Sequence, residues 1–223
     1  TLGIDEEEDF ETLAKSALKE IETFIKKGKT NVIRELDSPD ALLWFVWAIQ
    51  QYFYTVKIEE IKIDLLKSVI PIVEYILQKK HINMFLNENG LLEIDGTRVP
   101  MTWMNATEDG KAITPRSGYV VEINALWYNA LCFAAMITEN SEWVELSKKT
   151  AESFVNTFWN GLYLYDYVNG DYKDVEVRPN MILAVSMPYS PLSRQQQKSV
   201  LDVCTRELLT TKGLRSLSPK SGS

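Results

Sequence analysis

Apolar residues along the chain repeat in two distinct ways. In segments 10–27, 58–80, 141–158 and 193–209 they fall at spacings of three and four, as in Phe10, Leu13, Ala17, Ile21 and Phe24. Polar residues fill the other face, which predicts amphipathic helices. Segments 40–54 and 120–137 are apolar almost all round, which predicts helices buried on most sides. The short segment 180–187 is of the same kind. Pro71 should kink or split the helix in which it falls, and Gly213 reads as a stop signal after the last helix. Half-buried and mostly buried helices therefore alternate along the chain. This alternation predicts an all-α protein built as concentric layers, a partial (α/α)6 toroid of about seven helices. A plain bundle is the competing architecture, but bundle helices each carry a single apolar stripe.

The spacing between helices adds a second pattern. Connections that leave an inner helix are short, about three to five residues. Those entering one are long and cover 28–39, 81–119 and 159–179. Loops beyond about 12–15 residues are usually functional. All three enter at the N-terminal ends of inner helices, where backbone N–H groups are free to meet a ligand's oxygens. The polar residues that stand out collect there: Asp40, Trp103, Asn105, Arg116, Glu122, Arg178 and Asn180. Within the loops, G-L-L-E-I-D-G and G-L-Y-L-Y-D-Y-V-N-G-D read as short strands or hairpins, with little regular sheet expected.

Composition narrows the ligand. The chain is 45% hydrophobic, enough for a substantial core, and its net charge of −7 disfavours a phosphate backbone as partner. No nucleic-acid partner is expected. The acidic N-terminus has no basic leader region, and no apolar run reaches the ~18 residues of a membrane span, so a cytoplasmic protein is expected. Cys132 and Cys204 sit in apolar helical patterns and read as buried free thiols of a reducing compartment. His81, the single histidine, follows a Lys-Lys pair and reads as a surface residue at a helix end. With one histidine and two distant cysteines, no zinc site or Ser-His-Asp machinery is visible. No glycine-rich nucleotide motif is present either, and no cofactor is expected.

An uncharged, hydroxyl-rich ligand fits what remains. Trp103 is either a loop anchor or a stacking platform for a sugar ring. Glycoside hydrolysis needs two carboxyl groups, about 6.5–9.5 Å apart when the mechanism inverts. Asp40, Glu108, Asp109 and Glu122 are the acids near the expected face. Asp40 reads equally as a helix-start residue, Glu122 as a first-turn acid favoured by the helix dipole, and Glu108 and Asp109 as a solvated turn. Arg116 and Arg178, each beside a proline, either clamp hydroxyls or carboxylates or tie their loops down.

Five stretches, S-P-D-A-L-L-W-F-V-W-A-I-Q, M-T-W-M-N-A, T-P-R-S-G-Y-V-V-E-I-N-A-L-W-Y-N-A-L, R-P-N-M-I-L-A-V-S-M-P and G-L-R-S-L-S-P, occur in this order over roughly residues 37–219. Together they resemble the amylo-α-1,6-glucosidase domain of prokaryotic glycogen debranching enzymes, which shares the glucoamylase-like (α/α)6 toroid. The resemblance implies hydrolysis of the α-1,6-linked branch-point glucose of glycogen, with inversion. Glycogen or a branched α-glucan oligosaccharide is the implied partner.

The family's general acid is the Asp of a T-W-M-D motif, where this chain carries Asn105. Glu122 or Asp109 is then the substitute to consider. The family's R-P-N-Q appears as R-P-N-M, with Met181. Asp40, Trp103, Arg116, Glu122, Asn124 and Arg178 keep the family pattern. The catalytic candidates are thus Asn105 and Glu122. The substrate-binding candidates are Asp40, Trp103, Arg116, Asn124, Arg178 and Asn180.

The family's general base comes from a segment after G-L-R-S-L-S-P. Residues 1–223 are accordingly expected to be one partial domain, an internal fragment of the catalytic toroid that is inactive by itself. Its uncovered inner helices would leave room for self-association. A non-catalytic α-glucan-binding module on the same fold is the alternative. A sugar epimerase is disfavoured because such toroids use histidine acid–base chemistry. A purely structural helical scaffold would not account for the loop motifs.

Overall fold

The computed structural model describes residues 12–13, 15–21, 23, 38–57, 63–79, 81, 83–97 and 100–221. The described part of the segment 10–27 is helical, whereas 24–37, most of the first long loop, lies outside the described residues. The helices that follow are α1 (Pro39–Thr55), α2 (Ile63–Lys67), α3 (Val69–Leu77), α4 (Val121–Thr138), α5 (Ser141–Phe158), α6 (Leu183–Ser186) and α7 (Arg194–Leu208). A 3₁₀ turn over Pro179–Ile182 leads into α6.

The helices expected over 40–54, 120–137, 141–158 and 193–209 are found there. The described part of the segment 58–80 divides at Ser68 into α2 and α3, and Pro71 falls in the first turn of α3, where its missing N–H breaks no helical bond. The start of α5 is set by Asn140, whose side chain accepts the Trp143 N–H at 3.0 Å. A reciprocal Ser193–Gln196 capping box starts α7.

α4 explains why one helix can be apolar all round. Ile123, Leu126, Trp127, Leu131 and Phe133 pack into a core shared with α1, α3 and the segments Met84–Leu86 and Leu92–Ile94. Val121 and Ala125 pack into a second core formed with α5, α7 and the 3₁₀ turn. The helix has 18 residues and a mean hydropathy of 1.2, long and apolar enough to cross a membrane, contrary to the sequence reading. In this fold 72% of it is buried inside the protein, as befits a core helix.

The all-α toroid expectation is not met: the architecture is mixed α/β. Strands β1 (Met84–Leu86), β2 (Leu92–Ile94), β5 (Gly118–Val120), β6 (Tyr167–Asn169) and β7 (Tyr172–Lys173) form one antiparallel sheet in the order β1-β2-β5-β6-β7. β3 (Thr107–Glu108) pairs with β4 (Lys111–Ala112), and β8 (Leu209–Thr210) with β9 (Gly213–Leu214). The segments read as short strands or hairpins, 90–96 and 161–171, hold β2 and β6, whose partners β1 and β7 lie just outside them across Asn-Gly turns. The sequence did not show that the two long loops lie side by side. There β2 pairs with β5 and β5 with β6, which satisfies backbone groups that separate loops would leave open.

Gly118 permits the joint between the loops. A Cβ on it would stand 2.4 Å from the Val168 carbonyl oxygen, and its φ of +88° suits glycine.

Candidate functional site

Three carboxylates and two arginines gather at one end of α4, where the loop-to-loop sheet places Arg116, ahead of β5, beside Asp166, ahead of β6. Pro115 and β5 hold Arg116 just ahead of that helix, and Glu122 lies in its first turn. The Arg116 guanidinium forks onto the Glu122 carboxylate, with Nη1 donating to Oε1 and Nη2 to Oε2, the latter at 2.6 Å. It also meets Asp166. Nη2 donates to Asp166 Oδ1 at 3.0 Å and to the Asp166 carbonyl at 3.2 Å. Nε lies 2.7 Å from Oδ2, in charge contact but off the hydrogen-bond line. Arg178 completes the group, its Nε 3.7 Å from Asp166 Oδ2.

Burial sets the electrostatics of this cluster. Arg116, Glu122 and Asp166 are each 3% exposed or less. Burial alone would weaken the Arg116 charge, but Glu122 and Asp166 outweigh it and push its pKa above the usual range. Desolvation is the largest influence on Asp166, and repulsion from Glu122 adds to it. Its pKa rises to about 6 despite Arg116, Asn180 and Arg178.

Asp40, at the start of α1, is also buried. Its pKa is raised by desolvation first and by Glu122 second, against the Ser38 hydroxyl, which donates to Asp40 Oδ1 at 2.6 Å. The nearby Trp103 backbone works against that rise, which ties the third element to the same place.

Above this cluster lies an open cleft of about 200 Å³, lined by Trp103, Met104, Asn105, Ala106, Thr114 and Ser216. The Trp103 ring is 49% exposed, and its Nε1 donates to Asn180 Oδ1 at 3.0 Å. Asn180 Nδ2 donates in turn to Asp166 Oδ1 at 2.7 Å. The side chains of Asn180 and Asp166 thus connect the cleft wall to the buried charges. Two larger hollows lie elsewhere. One of about 290 Å³ lies by Glu176, Arg206 and Glu207, and another of about 430 Å³ lies by Tyr128, Tyr189 and Arg194. Neither is lined by a residue of the charge cluster.

The profile of the amylo-alpha-1,6-glucosidase family matches residues 12–223. The chain belongs to the amylo-alpha-1,6-glucosidase family. A search of curated proteins returned no match. Family membership makes this a glycoside-hydrolase domain related to glycogen debranching enzymes.

In this member of the amylo-alpha-1,6-glucosidase family the candidates separate into three settings. Trp103 and Asn105 line the open cleft. Asp40, Arg116, Glu122, Arg178 and Asn180 gather beneath it, and Glu122 is locked in the arginine fork rather than presented to a ligand. Asn124 is fully buried. Its Nδ2 donates to the carbonyls of Leu92 (2.9 Å) and Val120 (3.0 Å), and its Oδ1 accepts the Leu92 N–H (2.7 Å). That side chain fastens β2 to α4.

Glu108 and Asp109 stand on the exposed β3–β4 hairpin, with Asp109 at φ +49°. His81 is not a surface residue. It is 2% exposed, its Nδ1 accepts the Asn83 N–H at 3.1 Å, and its ring meets Tyr75 edge-on, because the chain folds inward to begin β1. Cys204 is buried and Cys132 half-buried, and both are free thiols. Among the described residues no group of three or more His, Cys, Asp or Glu is arranged to hold a metal ion.

Asp166 was missed by sequence reasoning. The signal was present in Y-L-Y-D-Y-V. Leu164 and Val168 are buried at 1% and 6%, and the alternation of a strand gives Asp166 the same inward parity. A carboxylate at an inward position needs a cationic partner, and Arg116 and Arg178 are the cations within reach.

Proposed function

We propose that this domain acts on the α-1,6-linked branch-point glucose of an α-glucan, gripping it in the Trp103–Asn105 cleft. The observation that carries the reading is the half-exposed indole of Trp103, held by its Nε1 at the rim of a cleft without a charged lining residue. An aromatic face with amide and hydroxyl neighbours suits a neutral, hydroxyl-bearing ring. In the family reading the reaction is hydrolysis with inversion, and a glycosidase needs an acid that can reach the glycosidic oxygen. Asn105 occupies the cleft with an amide, which has no carboxylic proton to give, and Glu122 is engaged by Arg116 beneath it.

That arrangement favours a second reading, an α-glucan-binding module on the same fold. Binding of branched limit dextrin, measured by calorimetry beside glucose release, tests both. Binding weakened about tenfold by Trp103→Ala supports the site. Glucose release from the wild-type chain favours the hydrolase over the module. Wild-type protein that binds no α-glucan rejects both.

A further inference from the structure

Asn180 joins two groups whose hydrogen-bonding character is fixed. An ionised Asp166 only accepts, and an indole N–H only donates. One amide orientation satisfies both, with Nδ2 on Asp166 Oδ1 at 2.7 Å and Oδ1 on Trp103 Nε1 at 3.0 Å. The chemistry of the partners dictates this orientation. Asp166 is itself immobilised. Its N–H donates to the Asp174 carbonyl at 3.0 Å, and its carbonyl accepts the Val121 N–H at 3.1 Å and Arg116 Nη2 at 3.2 Å. Its carboxylate rests against Arg116. At 2% exposure it touches no ligand, whereas the ring it controls is 49% exposed.

We propose that Asp166 is a positioning residue for Trp103: it fixes the Asn180 amide so that the indole stands at one angle beside Asn105, and so sets how tightly the cleft grips a glucan ring. The effect on binding rests on the functional reading above, but the effect on the ring does not. A ring held before the ligand arrives loses less freedom on binding. Asp166→Asn would bring a second donor to the joint. Asn180 could then turn its oxygen toward residue 166, leaving its NH₂ against the indole N–H, donor against donor. The cleft would lose no atom, only the order of its wall.

The test uses the intact protein labelled with 5-fluorotryptophan. The Trp103 line in the fluorine NMR spectrum is identified by its loss in Trp103→Phe. In Asp166→Asn and Asn180→Ala the Trp103 line is expected to move or broaden while the lines of the other tryptophans hold. Kd for maltotetraose should rise about five- to tenfold, the loss of one net hydrogen bond. Asn180→Ala leaves the Arg116–Asp166 pair intact, so it decides the matter if Asp166→Asn does not fold. An unmoved Trp103 line in folded Asn180→Ala overturns the proposal. A moved line with unchanged Kd overturns its link to binding. A moved line in a protein whose wild type binds no glucan supports the positioning of the ring and overturns the functional reading.

Discussion

Arg116 and Glu122 face each other fork to fork at the head of α4, with 2% and 1% of their side chains exposed. Both charges are out of water, so each depends on the other for solvation. Removing one member of such a pair costs about 3–5 kcal/mol. Arg116→Met strands both Glu122 and Asp166 and belongs at the upper end. Glu122→Gln leaves Arg116 its Asp166 contacts and should cost less. Urea denaturation of the two variants checks the order, and a reversed order would mean that Asp166 contributes little to holding Arg116.

The helices were legible because hydrophobic period is a local property: α1, α4, α5 and α7 lie within a residue or two of their expected bounds. The sheet was not, because β2 and β5 stand at opposite ends of one long loop, β6 comes from another, and their pairing depends on tertiary contact. The same division runs through the site. Trp103, Arg116 and Glu122 stood out as unusual residues beside helix starts. Which acid met which arginine depended on the sheet, and so Asp166 went unseen. Asn124 fits the family pattern and was assigned to substrate, yet its hydrogen bonds go to the backbone of Leu92 and Val120.

Asn124 therefore offers a clean contrast with Trp103. Asn124→Ala removes three hydrogen bonds and leaves the Leu92 N–H unpaired in the interior, for an expected loss of about 2–4 kcal/mol. Trp103→Ala removes a half-exposed ring, with little change in stability and about a tenfold loss of glucan affinity. Melting curves and calorimetric titration of the two variants check this. Equal effects of both on affinity, in folded protein, would return Asn124 to the binding site.

Asp166 predicts an unusual pH response. Its pKa is about 6 in the folded protein against 3.8 for an ordinary Asp. Below 3.8 both states hold the proton and the group's favourable contribution is complete. As pH rises the unfolded chain ionises first, and the contribution is lost by the time the folded pKa is passed. The loss is of order 3 kcal/mol. Wild-type stability minus that of Asp166→Asn should therefore fall between pH 4 and 6 and level off above. A difference that rises with pH across that window would mean that Arg116 and Arg178 outweigh desolvation at this site.

Asn105→Asp is the substitution that separates the two functional readings. Position 105 lines the cleft beside Trp103, Met104, Ala106 and Thr114, so a carboxyl there could reach a bound ring without disturbing the buried cluster. A positioned general acid contributes roughly 10²–10⁴-fold. Under the hydrolase reading, glucose release from branched limit dextrin, measured in a full-length chain that carries the family's general base, should rise by at least about 10²-fold. The new activity should fall at high pH as the acid ionises. If Asn105→Asp still binds dextrin but gains no rate, the cleft holds glucan without cleaving it, and the binding-module reading stands.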